Sequence, residues 1–134
     1  MLKIEMEIMR AIPEDAHDIA RIHVLAWQAA YAGIVPAEHL AAQSVAKREA
    51  VWRESLAKGT PEILVAKTEG RLVGWVAFGA SRDENVGSQA AEIWAIYVAP
   101  SHWSRGVGRL LWLRARERLA EQGYKSISVL VLAE

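Results

Sequence analysis

The sequence predicts one α/β domain built on a mixed β-sheet with helices on its faces, in the order β-α-α-β-β-β-α-β. Three observations carry this. Short apolar blocks with strand character sit near both ends and in the middle of the chain. Two long stretches of helical period lie between the first block and the central ones. The last three elements read as strand, helix, strand, a unit whose strands run parallel. The 134 residues suffice for one domain, 1–134, and are too few for two.

Each element has its own signal. Residues 4–12, IEMEIMRAI, begin by alternating apolar and polar side chains, as a half-buried strand does. Pro13 suits a first helical turn, and Glu14 and Asp15 favour a helix N-terminus. Ala16 to Ala32 then has helical period. Ile19, Ile22, Ala26 and Ala30 share one face, which Ala20, Val24, Trp27 and Tyr31 widen, and Gly33 ends it. Residues 36–59 form a second helical stretch, with a break near Ser44 and a close at Gly59. Residues 62–81 are two β runs around Glu69-Gly70-Arg71, hence a hairpin. A polar loop covers 82–89, and residues 91–100 form a strand apolar enough for burial on both faces. Gly106 to Gln122 is a helix with Val107, Leu110, Leu111, Ala115 and Leu119 inward, ended by Gly123. Residues 126–134, SISVLVLAE, form a final apolar strand.

Composition narrows the functional classes. Lysine plus arginine is 16 and aspartate plus glutamate is 16, so the chain lacks the basic excess expected of a nucleic-acid or anionic-membrane partner. There is no cysteine, which excludes disulfides and thiolate metal sites and fits a reducing cytoplasm. The N-terminus lacks the long apolar core of a signal peptide, and no apolar run reaches membrane-spanning length. His17, His23, His39 and His102 have no ligand spacing, so no metal is expected.

The most specific feature is the corner Ser104-Arg105-Gly106-Val107-Gly108-Arg109. The first turn of a helix carries backbone N–H groups without partners, and the helix dipole adds partial positive charge there. Glycines let an anion approach those groups, and Arg105 and Arg109 add full charges. The corner therefore suits a phosphate or pyrophosphate. A tight strand-to-helix corner that binds nothing is the other reading. Neither Gly-x-Gly-x-x-Gly nor the P-loop pattern is present.

With WSRGVG placed between the fourth strand and the next helix, the sequence resembles the GNAT superfamily of acetyl-CoA-dependent N-acyltransferases. That family carries Gln/Arg-x-x-Gly-x-Gly/Ala at this point. EIWAIYVAPSH also looks like the family's strand and its exit, and VLAWQAAYAGIVPAEHL resembles the N-terminal helix and loop of bacterial members. The resemblance implies that Ile96, Tyr97 and Val98 face the pantetheine arm of acetyl-CoA. It further implies that Ser104, Arg105, Gly106, Val107, Gly108 and Arg109 hold the pyrophosphate. Trp103 departs from the pattern, which has Gln or Arg there.

Acetyl transfer requires a neutral amine, donors for the developing oxyanion and a proton for the leaving thiolate. Glu92, at the start of the apolar strand, is the candidate base, because partial desolvation there favours proton uptake. Some family members place a glutamate at this position as base, the other reading being a strand-end glutamate in solvent; the family builds the amine side where Trp27, Gln28 and Tyr31 stand here, and the same rings also suit a core. The resemblance implies a small-molecule or peptide amine acceptor, and direct transfer, since no cysteine can carry the acyl group. The family's last helix and strands lie beyond Glu134, the end of the chain. This implies a homodimer covering the open edge of the final strand. It also implies, as the alternative to an enzyme, a remnant that binds CoA, or nothing, without turnover and acts through oligomerisation.

Overall fold

Among the residues that the computed structural model describes (6–30, 45–82, 87 and 89–129), five strands and three α-helices follow the expected order. They are β1 (Met6–Arg10), α1 (Ala16–Ala30), α2 (Val45–Lys58), β2 (Glu62–Thr68), β3 (Arg71–Ala80), β4 (Ala90–Val98), α3 (Val107–Glu121) and β5 (Ser126–Val129). The sheet order is β1-β2-β3-β4-β5. The first three pairings are antiparallel, and β4 and β5 are parallel. Tyr31, Gly33, the start of the second helical stretch and residues 130–134 lie outside the described residues.

Local chemistry sets the boundaries. Glu69 (φ 52°) and Gly70 (φ 77°) form the two-residue turn between β2 and β3. Positive φ at both positions matches the right-handed twist of the flanking strands. The turn is one residue tighter than expected, since Arg71 already belongs to β3. Pro13–Asp15 is a short 3₁₀ turn leading into α1. There the Ile12 N–H donates to Asp15 Oδ2 at 3.0 Å, and Lys67 Nζ lies 3.2 Å from Asp15 Oδ1. Buried Asp15 thus ties the start of α1 to the end of β2.

Both faces of the sheet are covered. On one, Val107, Leu111, Ala115 and Leu119 of α3 pack with Val73, Val76, Phe78, Ala91 and Ile93. On the other, Ile19 and Ile22 of α1 and Trp52 and Leu56 of α2 cover Ile63, Val65, Trp75 and Ala77. The indole N–H of fully buried Trp75 donates to the Ile19 carbonyl at 3.0 Å, so the largest core ring keeps its polar atom satisfied. Two expected inward residues differ. Ala30 is exposed and Leu110 only half-buried, because each lies at the margin of its helix's apolar stripe. At the far end of α3, Arg118 donates to both oxygens of Glu62, from Nε at 2.7 Å and Nη2 at 3.2 Å, clamping the helix to β2.

An irregularity in β4 decides which of its side chains reach which face. Phe78 pairs with Ile93 and Ala77 with Ala95, so Trp94 is an extra residue, a β-bulge. Before it, Ala91 and Ile93 face α3; after it, Ile96 and Val98 do, while Ala95 and Tyr97 face α1 and α2. The bulge thus shifts the face alternation by one residue.

Close to the end of β4, α3 approaches the sheet over Gly74. A Cβ built on Gly74 would lie 3.1 Å from Val107 Cγ1, 3.2 Å from Leu111 Cδ1 and 3.2 Å from the Tyr97 carbonyl oxygen. Packing favours glycine here, since a side chain under the first turn of α3 would push Val107, Leu111 or the Tyr97 carbonyl aside by a few tenths of an ångström. Gly74→Val should therefore destabilise the fold by about 1–3 kcal/mol through overpacking, read as a lower midpoint in urea unfolding.

Candidate active site

The corner after β4 is pinned at both ends and unbonded between. Pro100–His102 is a 3₁₀ turn, held by His102 N–H to Ala99 O (2.8 Å) and Trp103 N–H to Pro100 O (3.3 Å). The next backbone bond is Leu110 N–H to Gly106 O, at 3.0 Å. Among the described residues, none of the N–H groups of residues 104–109 has a backbone acceptor. Ser104 (φ 62°) and Gly106 (φ 82°) both adopt left-handed conformations, so the expected helix start at Gly106 is instead its N-cap. A Cβ on Gly106 would meet nothing within 4 Å, and one on Gly108 only Val98 Cγ2 at 3.7 Å. Neither glycine fills a packing need. The space over them is open, Arg105 and Arg109 are exposed beside it, and neither arginine is in an ion pair among the described residues. These are the properties a pyrophosphate requires.

The edge of β4 leads into this corner. Ala99 N–H donates to Val73 O at 2.8 Å, and Tyr97 pairs with Trp75 and Val98 with Gly74. In an antiparallel ladder the bonded residues alternate, so Ala95 and Tyr97 turn their main-chain groups to β3. Ile96 and Val98 turn theirs to the opposite edge. Among the described residues β5 pairs with only Ala90–Ile93 of that edge. Ile96 and Val98 therefore stand where an extended ligand can pair. Tyr97, expected with them, sends its ring to the α1 side.

On that side the ring of His23 from α1 stacks on Tyr97, with centroids 4.4 Å apart and planes inclined by 27°. Trp75 lies 5.8 Å and Trp52 6.4 Å from the same imidazole, and Arg48 Nη1 is 3.5 Å from its Nδ1. Burial, and then the charge of Arg48, lower the His23 pKa to about 4, so the ring is neutral near pH 7. Glu92 occupies the same face of β4 on the far side of the bulge and is 6% exposed. Its Oε1 accepts the Arg82 backbone N–H at 3.1 Å, and its Oε2 accepts Arg82 Nε at 3.1 Å and also Nη2. The Arg82 guanidinium lies 4.4 Å from the centre of the Trp94 ring, whose N–H donates to Ala80 O at 3.3 Å. Glu92 is thus as desolvated as expected, and it is held by a cation that the sequence did not single out.

Trp27 is half-buried on α1 one turn beyond His23, while Tyr31 lies outside the described residues. His23 had a legible signal: it is four residues from both Ile19 and Trp27, hence on the inward face of α1. Trp103 was visible as a departure from the motif. In the structure its indole N–H donates to the Val98 carbonyl at 2.7 Å. Among the described residues, no group of three or more His, Cys, Asp or Glu side chains could hold a metal ion. No helix among them is long and apolar enough to cross a membrane.

His23 carries a pH signature. Its folded value of about 4 lies below its ordinary 6.5, so the unfolded state takes up the proton first. The stability this provides is full above pH 6.5 and is lost as the pH falls from 6.5 towards 4. His23→Phe should flatten that part of a plot of thermal midpoint against pH, relative to the unsubstituted protein.

Known proteins share the sequence pattern and the fold. The sequence model of the Acetyltransferase (GNAT) family matches residues 14–134. An uncharacterized N-acetyltransferase of Bacillus subtilis (strain 168) is 33% identical over 122 residues, covering 90% of this chain and 68% of that protein. The PaiA N-acetyltransferase of Thermoplasma acidophilum, solved with coenzyme A, superposes with a TM-score of 0.80 at 19% identity, over 96% of this chain and 80% of that one. A GNAT family acetyltransferase of Brucella melitensis, solved with acetyl-CoA, gives 0.72 at 21% identity, over 98% and 79%. These two likenesses are of fold. With a family match over residues 14–134 and a relative at 33% identity, the chain belongs to the GNAT family of acetyltransferases.

Proposed function

We propose that the protein transfers the acetyl group of acetyl-CoA directly to a primary amine of a small-molecule or peptide acceptor. The observation that carries this is a run of outward main-chain groups: Ile96 and the Val98 N–H on the edge of β4, with no strand partner among the described residues, and then the N–H groups of Ser104–Arg109, with no backbone acceptor among them. Such a surface suits a ligand that is amide-rich and extended at one end and doubly phosphorylated at the other. Ile96 and Val98 pair with the pantetheine arm, the corner amides hold the pyrophosphate, and Arg105 and Arg109 add charge. When bound, acetyl-CoA supplies an activated thioester. The outward N–H of Ile96 or Val98 is positioned to donate to the carbonyl oxygen of such a group. No cysteine is present to carry the acetyl group between partners.

The acceptor is assigned to the α1 side of β4, near Trp27 and the His23–Tyr97 stack. Glu92 faces that side, and its burial supports the role of base for the incoming ammonium. Both Glu92 oxygens are engaged by Arg82, whose side chain is 52% exposed. Proton uptake then requires the guanidinium to turn out towards solvent.

Calorimetric titration with CoA tests the cofactor half. Binding is expected below millimolar concentration and should weaken at least about tenfold in Gly106→Val, which cannot hold its left-handed cap without strain of about 1–2 kcal/mol. No binding at millimolar CoA overturns the reading. Thiol release over a panel of amines tests the chemistry. Glu92→Gln should lower kcat by about 10²-fold or more while CoA affinity changes little. CoA binding without thiol release for any amine would favour a non-catalytic binding domain.

A further inference from the structure

We propose that Trp103 is the positioning residue of the cofactor corner, its indole N–H tying the loop to the last carbonyl of β4. This role rests on acetyl-CoA being the ligand of the corner, and it identifies which side chain gives that site its shape.

The corner faces a geometric problem. Two surfaces must point at one ligand: the outward groups of Ile96 and Val98, and the unbonded amides 104–109. They are separated by a 3₁₀ turn, Pro100–His102, and the second surface itself bends through two left-handed residues, Ser104 and Gly106. From the Trp103 N–H bond to the Leu110 N–H bond the backbone itself supplies no tether. The Trp103 side chain supplies one. Its Nε1–H donates to Val98 O at 2.7 Å, spanning five residues. That carbonyl belongs to the outward edge, since Val98 is a non-bonded position in the ladder with β3.

The bond has two consequences. It fixes the distance between strand edge and corner, so both surfaces keep one register before any ligand arrives. It also occupies the Val98 carbonyl, leaving Val98 to offer its N–H and Ile96 to offer both of its groups. Trp103 remains 42% exposed, so burial does not explain why an indole stands here, whereas the hydrogen bond does. A corner of this kind lowers the ordering cost of binding and acts on cofactor affinity, with little effect on the chemical step.

Three substitutions separate the N–H from the ring. Trp103→Phe keeps an aromatic ring without the donor, Trp103→Leu removes both, and Trp103→Gln restores a donor of similar reach. Steady-state kinetics with acetyl-CoA, CoA calorimetry and thermal midpoints are measured on each. Trp103→Phe and Trp103→Leu should raise the acetyl-CoA KM and CoA Kd about three- to tenfold with kcat within about twofold, as one net hydrogen bond allows. Trp103→Gln should recover most of the loss. Should Trp103→Leu fail to fold, the Phe and Gln variants carry the comparison. Wild-type affinity in Trp103→Phe, or a Trp103→Gln no better than Trp103→Phe, overturns the role of Trp103 and leaves the cofactor reading intact. Failure of the unsubstituted protein to bind CoA overturns the cofactor reading, and the role of Trp103 with it.

Discussion

The structure depends on the asymmetry of β4. Along one edge it bonds to β3 from end to end, and this fixes its position in the sheet. Along the other, β5 is paired over Ala90–Ile93 among the described residues, which leaves the main chain of Ile96 and Val98 turned outward. Ile96 and Val98 are half-buried, unlike the first half of β4, so outward groups there rely on solvent or on a partner, and a backbone polar group cut off from both is expensive. A ligand with amides of its own removes that cost. The covered faces thus serve the open edge: α3 on one side and α1 with α2 on the other hold β4 rigid while its edge stays available.

The bulge at Trp94 divides the labour between those faces. By shifting the alternation one residue, it gives Ile96 and Val98 to the core under α3 and turns Tyr97 towards α1. The side chains of the proposed acceptor side and the main chain of the proposed cofactor edge then come from one short segment without competing for the same direction. Glu92 and Tyr97 flank the bulge on the face turned towards α1. One is held by Arg82 and the other stacked on a neutral His23.

Much of this was legible before the fold was known, and the reason differs with each feature. Helix and strand faces follow from burial, which periodicity records directly; Val107, Leu111, Ala115 and Leu119 are inward as their spacing requires. The corner was legible because only glycine adopts φ 82° easily. The bulge was not, since one extra residue in an apolar run changes neither composition nor visible period. The Arg82 clamp on Glu92 was hidden because it forms across a loop that returns the chain on itself. The inward face of His23 was legible from its spacing, but its surroundings were not: Trp52, Trp75 and Tyr97 come from three different elements. Trp103 stood out as an oddity, but its partner is set by the path of the turn.

Gly74 shows how far from the ligand the site is determined. It pairs with Val98 in the sheet, lies against the carbonyl of Tyr97, and has the first residue of α3 resting directly on it. The thickness of the protein at this one point therefore sets both the height of the helix above the strand and the angle at which the corner leaves it. Among descendants of this sequence, a side chain at position 74 would be felt first as a shift of α3 and of the Tyr97–Val98 backbone, and so at the corner that follows them. Its missing side chain works as a gauge block between sheet and helix.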